Sequence, residues 1–409
     1  MTPDMSGSDA VLAGKTAAIV VFSFYPSDVR VLRGAEAMSK AGMSVDLFCL
    51  QKSAKEPARE YINGVNVRRV SVKKRRGGKL AYAKQYLTFL LLSFLWLSRR
   101  QLVRRYDVVH VHNMPDFLVF CALLPKLLGS RVVLDLHDPT PEVFISVYDL
   151  SPDDWLVGLL RVAEKLSIGF ADLVLTPNIA FQKLFISRSG PEQKIQIIMN
   201  SPLEEVFPFR TPVRQIHHGW DEDARFVVMF HGTLVERHGL HIAIGAVAQL
   251  QESMPGLRFH IYGAETAYLN QNVFPLVDKL GLRYRVQFFG EQPQHVIARA
   301  VSQCDLGVVP NLRTVFTEIN LPTRIFEYLA LGKPVIVPET QGIRDYFSRD
   351  NMLFFEGGNV EDLASKIKWV FDHPEETRSF VLRGQEIYRQ HVWKQEHRQF
   401  IKLISELLA

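Results

Sequence analysis

What most restricts the fold of this chain is an alternation that occurs twice. In the first half, apolar runs of strand length stand at 16–22 (TAAIVVF), 44–50 (SVDLFCL), Val65–Val72, Val108–Val111, Val132–Leu136 and Leu173–Thr176, with helical stretches such as VRVLRGAEAMSKAG between several of them. A run without polar alternates needs cover on both faces, and strands separated by helices pair in parallel. A polar stretch at 201–224 follows, with three prolines and the charged WDEDA, and then the alternation restarts with RFVVMFHG, LRFHIYG, VQFFG, DLGVVP and PVIVP. The 409 residues suit two domains, since single cores stop growing at roughly 250 to 300 residues. The expected layout is a short flexible tail (1–14), a Rossmann-like α/β domain (15–200), a linker (201–224), a second Rossmann-like α/β domain (225–385) and an amphipathic helical stretch (386–409) that crosses back onto the first domain. Ligands of such folds bind beyond the carboxyl ends of the strands, so a cleft between two facing units is the expected site.

Composition narrows the setting. Hydrophobic residues make up 47% and charged residues 22%, which is globular rather than disordered usage. Cys49, Cys121 and Cys304 lie far apart in apolar contexts and match neither a disulfide framework nor zinc spacing, so a reducing, cytoplasmic compartment is expected. The opening MTPDMSGSDAVLAGKT lacks an apolar core of signal-peptide length. The net charge of +5 is mild, and no nucleic-acid partner is expected, but its distribution is uneven. From Lys73 to Arg105 there are ten Lys or Arg and no acid, enclosing the apolar run LTFLLLSFLWL at Leu87–Leu97. That run is too short for a bilayer, which takes about 20 residues. A basic-flanked apolar helix with Trp96 near one end suits a membrane interface, and equally a core helix between solvated ends.

Two segments carry chemistry. In LPTRIFEYLALGKPVIVPETQGIRDYF, Pro322 opens a helix and Gly332 closes it, with Glu327 among apolar neighbours, where a carboxylate needs a hydrogen-bond partner such as a sugar diol. In FHGTLVERHG, Gly232 lets backbone approach a ligand, Thr233 offers a hydroxyl, and Arg237 stands before a helix start that favours an anion. Arg324, one turn before Glu327, is a second candidate clamp on a diphosphate. Other matches fail. The GKT at 14–16 has Asp9 where a P-loop needs glycine and precedes its strand; Asp221–Asp223 form a DxD inside the linker; and GxGxxG is absent.

The ordered set HGTLVERHG, IYG, FFGE, DLGVVP and LPTRIFEYLALGKPVIV resembles the nucleotide-sugar half of retaining glycosyltransferases of family 4, which have the two-domain GT-B fold. The resemblance implies transfer of a sugar, with retained anomeric configuration, from a nucleotide diphosphate sugar, without a metal ion or other cofactor. It places the ribose hydroxyls on Glu327 and the leaving diphosphate on Arg237, with Arg324 as a candidate. Phe289, Gly290 and Glu291 would flank the base, and the loop Leu321, Pro322 and Thr323 would contact the donor. His137, in VVLDLHD, would contact the donor sugar or the acceptor. His112, Asn113 and Asp116 occupy a similar loop, and Ser27, Asp28 and Arg30 follow the first strand, where Ser27 can contact phosphate. The expected acceptor is a glycan or lipid-linked precursor, met by a peripheral enzyme on the inner face of the cell membrane.

Two positions depart from the family pattern. His238 stands where many members carry Lys, and the first of two spaced glutamates falls on Ile319, so recognition of the donor sugar stays open between Glu318 and Asn320. A GT-B-like epimerase or phosphorylase, with Lys333 as the nearby Schiff-base candidate, and a catalytically silent membrane scaffold are the competing readings. The oligomeric state is not encoded in any of these patterns.

Overall fold

The structure is a computed structural model that describes residues 11–72, 79–212 and 225–409. Residues 1–10 of the tail, the basic residues 73–78 and positions 213–224, with Asp221–Asp223, lie outside the described residues. The chain divides into two compact units, Met1–Asn200 with Glu396–Ala409, and Ser201–Gln395.

Unit 1 is built on eight strands: β1 (Thr16–Phe24), β2 (Ser44–Leu50), β3 (Arg59–Ile62), β4 (Val65–Val70), β5 (Val108–His112), β6 (Arg131–Asp135), β7 (Leu173–Thr176) and β8 (Ile195–Ile197). Their order across the sheet is β3-β4-β2-β1-β5-β6-β7-β8. All neighbours are parallel except β3 and β4, which form a hairpin. Its two-residue loop is Asn63 (φ 48) and Gly64 (φ 85), the left-handed pair that a tight hairpin turn requires. The central strand β1 holds Ala17, Ala18, Ile19 and Val20 fully buried, as expected for a strand covered on both faces. Helix Lys79–Val103 lays one side on the sheet: Phe89 packs edge-on against Phe22 at 5.2 Å, and Trp96 stacks on Phe48 at 4.9 Å.

Unit 2 has six parallel strands: β9 (Phe226–His231), β10 (Leu257–Tyr262), β11 (Val286–Phe288), β12 (Leu306–Val308), β13 (Val335–Pro338) and β14 (Leu353–Phe355), in the order β11-β10-β9-β12-β13-β14. Its core joins Phe226, Val228 and Phe230 of β9 to Ile242 and Val247 of helix Leu240–Gln249 and to Leu363 and Ile367 of helix Val360–Asp372.

Three elements differ from the sequence expectation. Residues 201–212, assigned by composition to the linker, pack on unit 2: Phe207 is buried, and the Arg210 N–H donates to the Ala330 carbonyl at 2.7 Å. Proline content marks irregular backbone, and irregular backbone can still be buried when its amides find partners. The helical stretch expected from Glu386 onward is two helices, Pro374–Gln390 and Trp393–Leu408. The His391 N–H closes the first by donating back to Tyr388, and the second contributes Glu396–Ala409 to unit 1. Strands β3, β8 and β14 lie outside the runs read from the sequence.

β12 passes under helix Arg324–Ala330 at Gly307, where an added Cβ would lie 2.6 Å from the Tyr328 ring. Gly307→Ala should therefore destabilise unit 2 by about 1 to 3 kcal/mol through overpacking. Urea unfolding followed by circular dichroism measures this, and an unchanged midpoint would show that Tyr328 yields freely.

Candidate active site

In unit 2, the carboxyl ends of β9 and β10 and the helix that begins at Arg324 converge on a cavity of about 330 Å³, lined by His231, Gly232, Thr233, Gly263, Glu291 and Glu327 among others. Gly232 has φ +131, and a Cβ there would lie 2.9 Å from Nη2 of Arg324. The residue must therefore be glycine for two reasons, backbone conformation and space. The Arg324 guanidinium lies over the Phe230 ring, 4.6 Å from its centre. Its Nη1 is buried and has no hydrogen-bond partner among the described residues, an unusual state for a group with five donors. Glu327 is one turn further along, its side chain 16% exposed, with Oε2 3.4 Å from Nε2 of His231. Arg237 lies in a short 3-10 turn, with its Cζ 5.9 Å from the Phe316 ring centre. At the end of β11, Phe289 is stacked on Tyr262 at 4.6 Å and remains partly exposed, and the Gly290 carbonyl accepts from the Gly263 N–H at 2.9 Å.

His238, the departure from the family Lys, is buried and bonded through Nδ1 to the Thr233 carbonyl at 2.6 Å. Burial, reinforced by Arg324, lowers its pKa to about 3. It is neutral at ordinary pH and braces the loop, so the cations here are arginines. His231 is lowered to about 3 in the same way, by burial and then by Arg324. Leu321 and Pro322 are buried before the helix, and Thr323 occupies its N-cap position without a side-chain cap bond. Glu318 belongs to a separate surface: it pairs with Arg313 at 2.9 Å and accepts the Gln341 N–H at 3.1 Å, and it does not line the cavity that holds Glu327. Asn320 is half-buried.

In unit 1 the ends of β5 and β6 pair His112 with Asp135. Arg30, from helix Val29–Lys40, grips the Asp135 carboxylate through Nε at 3.0 Å and Nη2 at 2.7 Å, and its Nη1 donates to the Ile198 carbonyl at 2.8 Å. Burial alone would raise Asp135, but Arg30 and three histidines outweigh it and hold the carboxyl well below its usual range. His137 is anchored by its N–H to Asn113 Oδ1 at 2.8 Å, and its Nε2 meets His112 Nδ1 at 2.8 Å. His112 is fully buried and pushed well below its ordinary pKa, chiefly by that burial. Its Nε2 has no partner, and a buried bare lone pair costs less than a buried bare N–H. The proton therefore sits on His112 Nδ1 and is donated to His137, which leaves the His137 proton on Nδ1, the nitrogen not engaged by His112. Asp116, buried and bonded to Asn113 and Thr140, is raised to about 7 by desolvation. Ser27 is exposed. The helix cap is its neighbour Asp28, whose carboxylate accepts the Val31 N–H at 3.4 Å, so the amides there already face an anion. Asp135 and His110 were not singled out in the sequence, where they read as strand interior.

Residues 27–201 match the family described as "Glycosyl transferase 4-like domain", and residues 215–386 match "Glycosyl transferases group 1". The two halves are the two domains of a glycosyltransferase. A D-inositol 3-phosphate glycosyltransferase of Pseudarthrobacter chlorophenolicus is 25% identical over 362 residues, 83% of this chain and 80% of the relative. WcaL of Escherichia coli K12, named for colanic acid biosynthesis, is 26% identical over 118 residues, 29% of each chain. Among solved structures, a sucrose-phosphate synthase of Thermosynechococcus elongatus superposes with TM-score 0.75 at 17% identity, covering 96% of this chain and 99% of that one. Anabaena HepE in complex with UDP-glucose gives 0.70 at 18%, covering 95% and 99%. These share the GT-B fold.

The two buried histidines near Arg324, His231 and His238, make the stability of unit 2 pH-dependent. Each is depressed in the folded state, so below the unfolded pKa, near 6.5, the unfolded chain binds a proton that the folded chain refuses. Stability is full above that value and falls with pH, by about 2 kcal/mol per histidine at pH 5. Thermal melting between pH 7 and 4.5 should show this slope, and His238→Asn should flatten it. An equal slope in the variant would mean that His238 protonates without consequence.

Proposed function

We propose that this glycosyltransferase moves a sugar, with retention of configuration and without a metal ion, from a nucleotide diphosphate sugar to a glycan or lipid-linked acceptor at the cytoplasmic face of the membrane. The observation that carries the reading is Arg324: a guanidinium with a buried, unpartnered Nη1, held over Phe230 against the only kind of residue that leaves it room, beside the carboxylate of Glu327. A diphosphate oxygen would complete the donor set of Arg324, and a ribose diol would donate to Glu327. Phe289, already stacked on Tyr262, offers a face to the base. Departure of the nucleoside diphosphate requires neutralisation of charge as the glycosidic bond to phosphate breaks, and Arg324 and Arg237 supply it from fixed positions. The departing phosphate oxygen then takes the proton of the acceptor hydroxyl, and no covalent intermediate is assigned. His137, with its proton on Nδ1, acts as a hydrogen-bond donor to the sugar or acceptor rather than as a base. HepE has been seen with UDP-glucose, which makes UDP the first nucleotide to test.

The acceptor assignment draws on helix Lys79–Val103. No helix among the described residues is long and apolar enough to cross a membrane. This one is two-faced: Phe89, Ser93 and Leu97 are fully buried, whereas Leu87, Leu91, Leu95 and Leu102 are exposed. Exposed leucines repeating along one side of a basic-flanked helix suit insertion at a bilayer surface. WcaL is named for colanic acid biosynthesis, which supports a glycan acceptor.

Calorimetric titration with UDP tests the donor site. Arg324→Ala and Glu327→Gln should each weaken binding at least tenfold while the fold is kept, because the first removes the charge on the diphosphate and the second an acceptor for the diol. Wild-type affinity in both variants would reject the assignment. Arg237→Ala should slow transfer by about 2 to 3 kcal/mol in barrier height, and His137→Ala should abolish transfer with nucleotide affinity retained. Loss of nucleotide binding in His137→Ala would overturn that division of roles.

A further inference from the structure

Beside helix Lys79–Val103, unit 1 carries a second cavity, of about 890 Å³, that belongs to no strand-end site. Five arginines line it, of which Arg100 is paired with Asp46. Arg59 and Arg68 come from the β3–β4 hairpin, and Arg99 and Arg104 from the end of the helix and just beyond it. The two carboxylates in its wall are already committed, Asp46 to Arg100 at 2.7 Å and Glu60 to Arg69 at 2.7 Å. Among the described residues none of the other four arginines has an ion-pair partner. Arg59 and Arg68 also stand directly opposite each other in the antiparallel register. Like charges in cross-strand register destabilise a hairpin, so this pair works against the fold unless an anion lies between its members. A phosphate meets that need, because guanidinium groups bind it with paired donors.

The surroundings identify the carrier of the phosphate. Leu92, Leu95 and Trp96 form the apolar side of the same cavity, and Leu92 and Leu95 are also among the exposed leucines of the helix. A second exposed apolar stripe, Trp155, Leu159, Val162 and Leu166, runs along helix Trp155–Phe170 at spacings that put it on one side. Both helices pack on the segment Asp116–Ala122. A soluble sugar phosphate or nucleotide would leave these stripes in water, whereas a bilayer surface presents anionic phosphate above an apolar layer.

We propose that the arginine cavity is a headgroup site that binds the phosphate of an anionic membrane lipid. It rests on the reading of the leucine-bearing helix as a membrane-docking element, and it adds a discrete charge-recognising pocket built largely by a hairpin outside that helix. Vesicle sedimentation with phosphatidylglycerol or phosphatidylcholine tests it. Wild type should bind phosphatidylglycerol strongly and phosphatidylcholine weakly. The double variant Arg59→Gln/Arg68→Gln should bind phosphatidylglycerol roughly 30-fold less tightly, at the contribution expected per arginine near an anionic surface. The melting temperature of this variant should equal or exceed that of wild type, because a repelling pair has been removed. Arg99→Gln/Arg104→Gln should act in the same direction and guards against a folding defect in the hairpin. If wild type binds phosphatidylglycerol and both double variants bind it equally well, the headgroup site is wrong while membrane docking stands. Equal binding of wild type to both lipids has the same meaning. If wild type binds neither vesicle at low salt, the docking reading itself falls and takes this site with it. If soluble glycerol phosphate binds wild type as tightly as the vesicles do, the site serves a soluble phosphate and the lipid assignment is overturned.

Discussion

The architecture of the cavity in unit 2 depends on how Tyr328 is seated. Its ring occupies the space above Gly307 of β12, and its hydroxyl donates to the Met229 carbonyl of β9 at 2.8 Å. That bond satisfies the phenol where it is fully buried and ties helix Arg324–Ala330 to two strands at once. Once Tyr328 is fixed inward, helical geometry sends Glu327 and Arg324 to the side that faces the end of β9, where His231 and Gly232 emerge. A polar cavity with a buried cation is costly to build. Here the cost is met by an apolar anchor one residue away.

The same logic operates in unit 1 with a charged anchor. Arg30 and Asp135 form a buried pair at the centre of the polar cluster, and the carboxylate sits close to three histidine rings, His110 at 3.6 Å, His112 at 3.4 Å and His137 at 3.9 Å. A buried ion pair contributes little net stability, since desolvation offsets attraction, but removing one member leaves a charge without a partner. The pair therefore acts as a positioning device. It holds the ends of β6 and of helix Val29–Lys40 together and supplies the negative charge against which the histidines are oriented.

In both units the apolar interior and the polar edge at the strand ends are one construction. Parallel strands buried on both faces leave only their carboxyl ends and the following loops for polar side chains. The arginine cavity beside the β3–β4 hairpin lies away from those ends, on the one antiparallel edge of unit 1, and it is the part of the molecule that the strand-end rule does not explain.

Much of this was legible without coordinates. The doubled strand-helix alternation determined two parallel-sheet domains, because hydrophobic periodicity is a local property that each segment carries by itself. Gly232 stands out because it directly follows an apolar strand, and Arg324 and Glu327 because Pro322 and Gly332 mark the two ends of their short helix. What periodicity could not reveal were relations between residues distant in the chain. Asp135 and His110 look like strand interior until Arg30, 105 residues from Asp135, is folded against them. His238 reads as a possible cation until burial against Thr233 makes it neutral. Glu318 and Glu327 lie nine positions apart, yet one faces Arg313 and the other lines the cavity at the end of β9. Arg59 and Arg68 are two ordinary surface arginines until the Asn63-Gly64 turn sets them face to face. Sequence alone determined which segments are strands, helices and turns, because those preferences are short-range. Tertiary structure alone decided which charges are paired, buried or left exposed, because solvation and Coulomb energies depend on neighbours that the chain supplies only after it has folded.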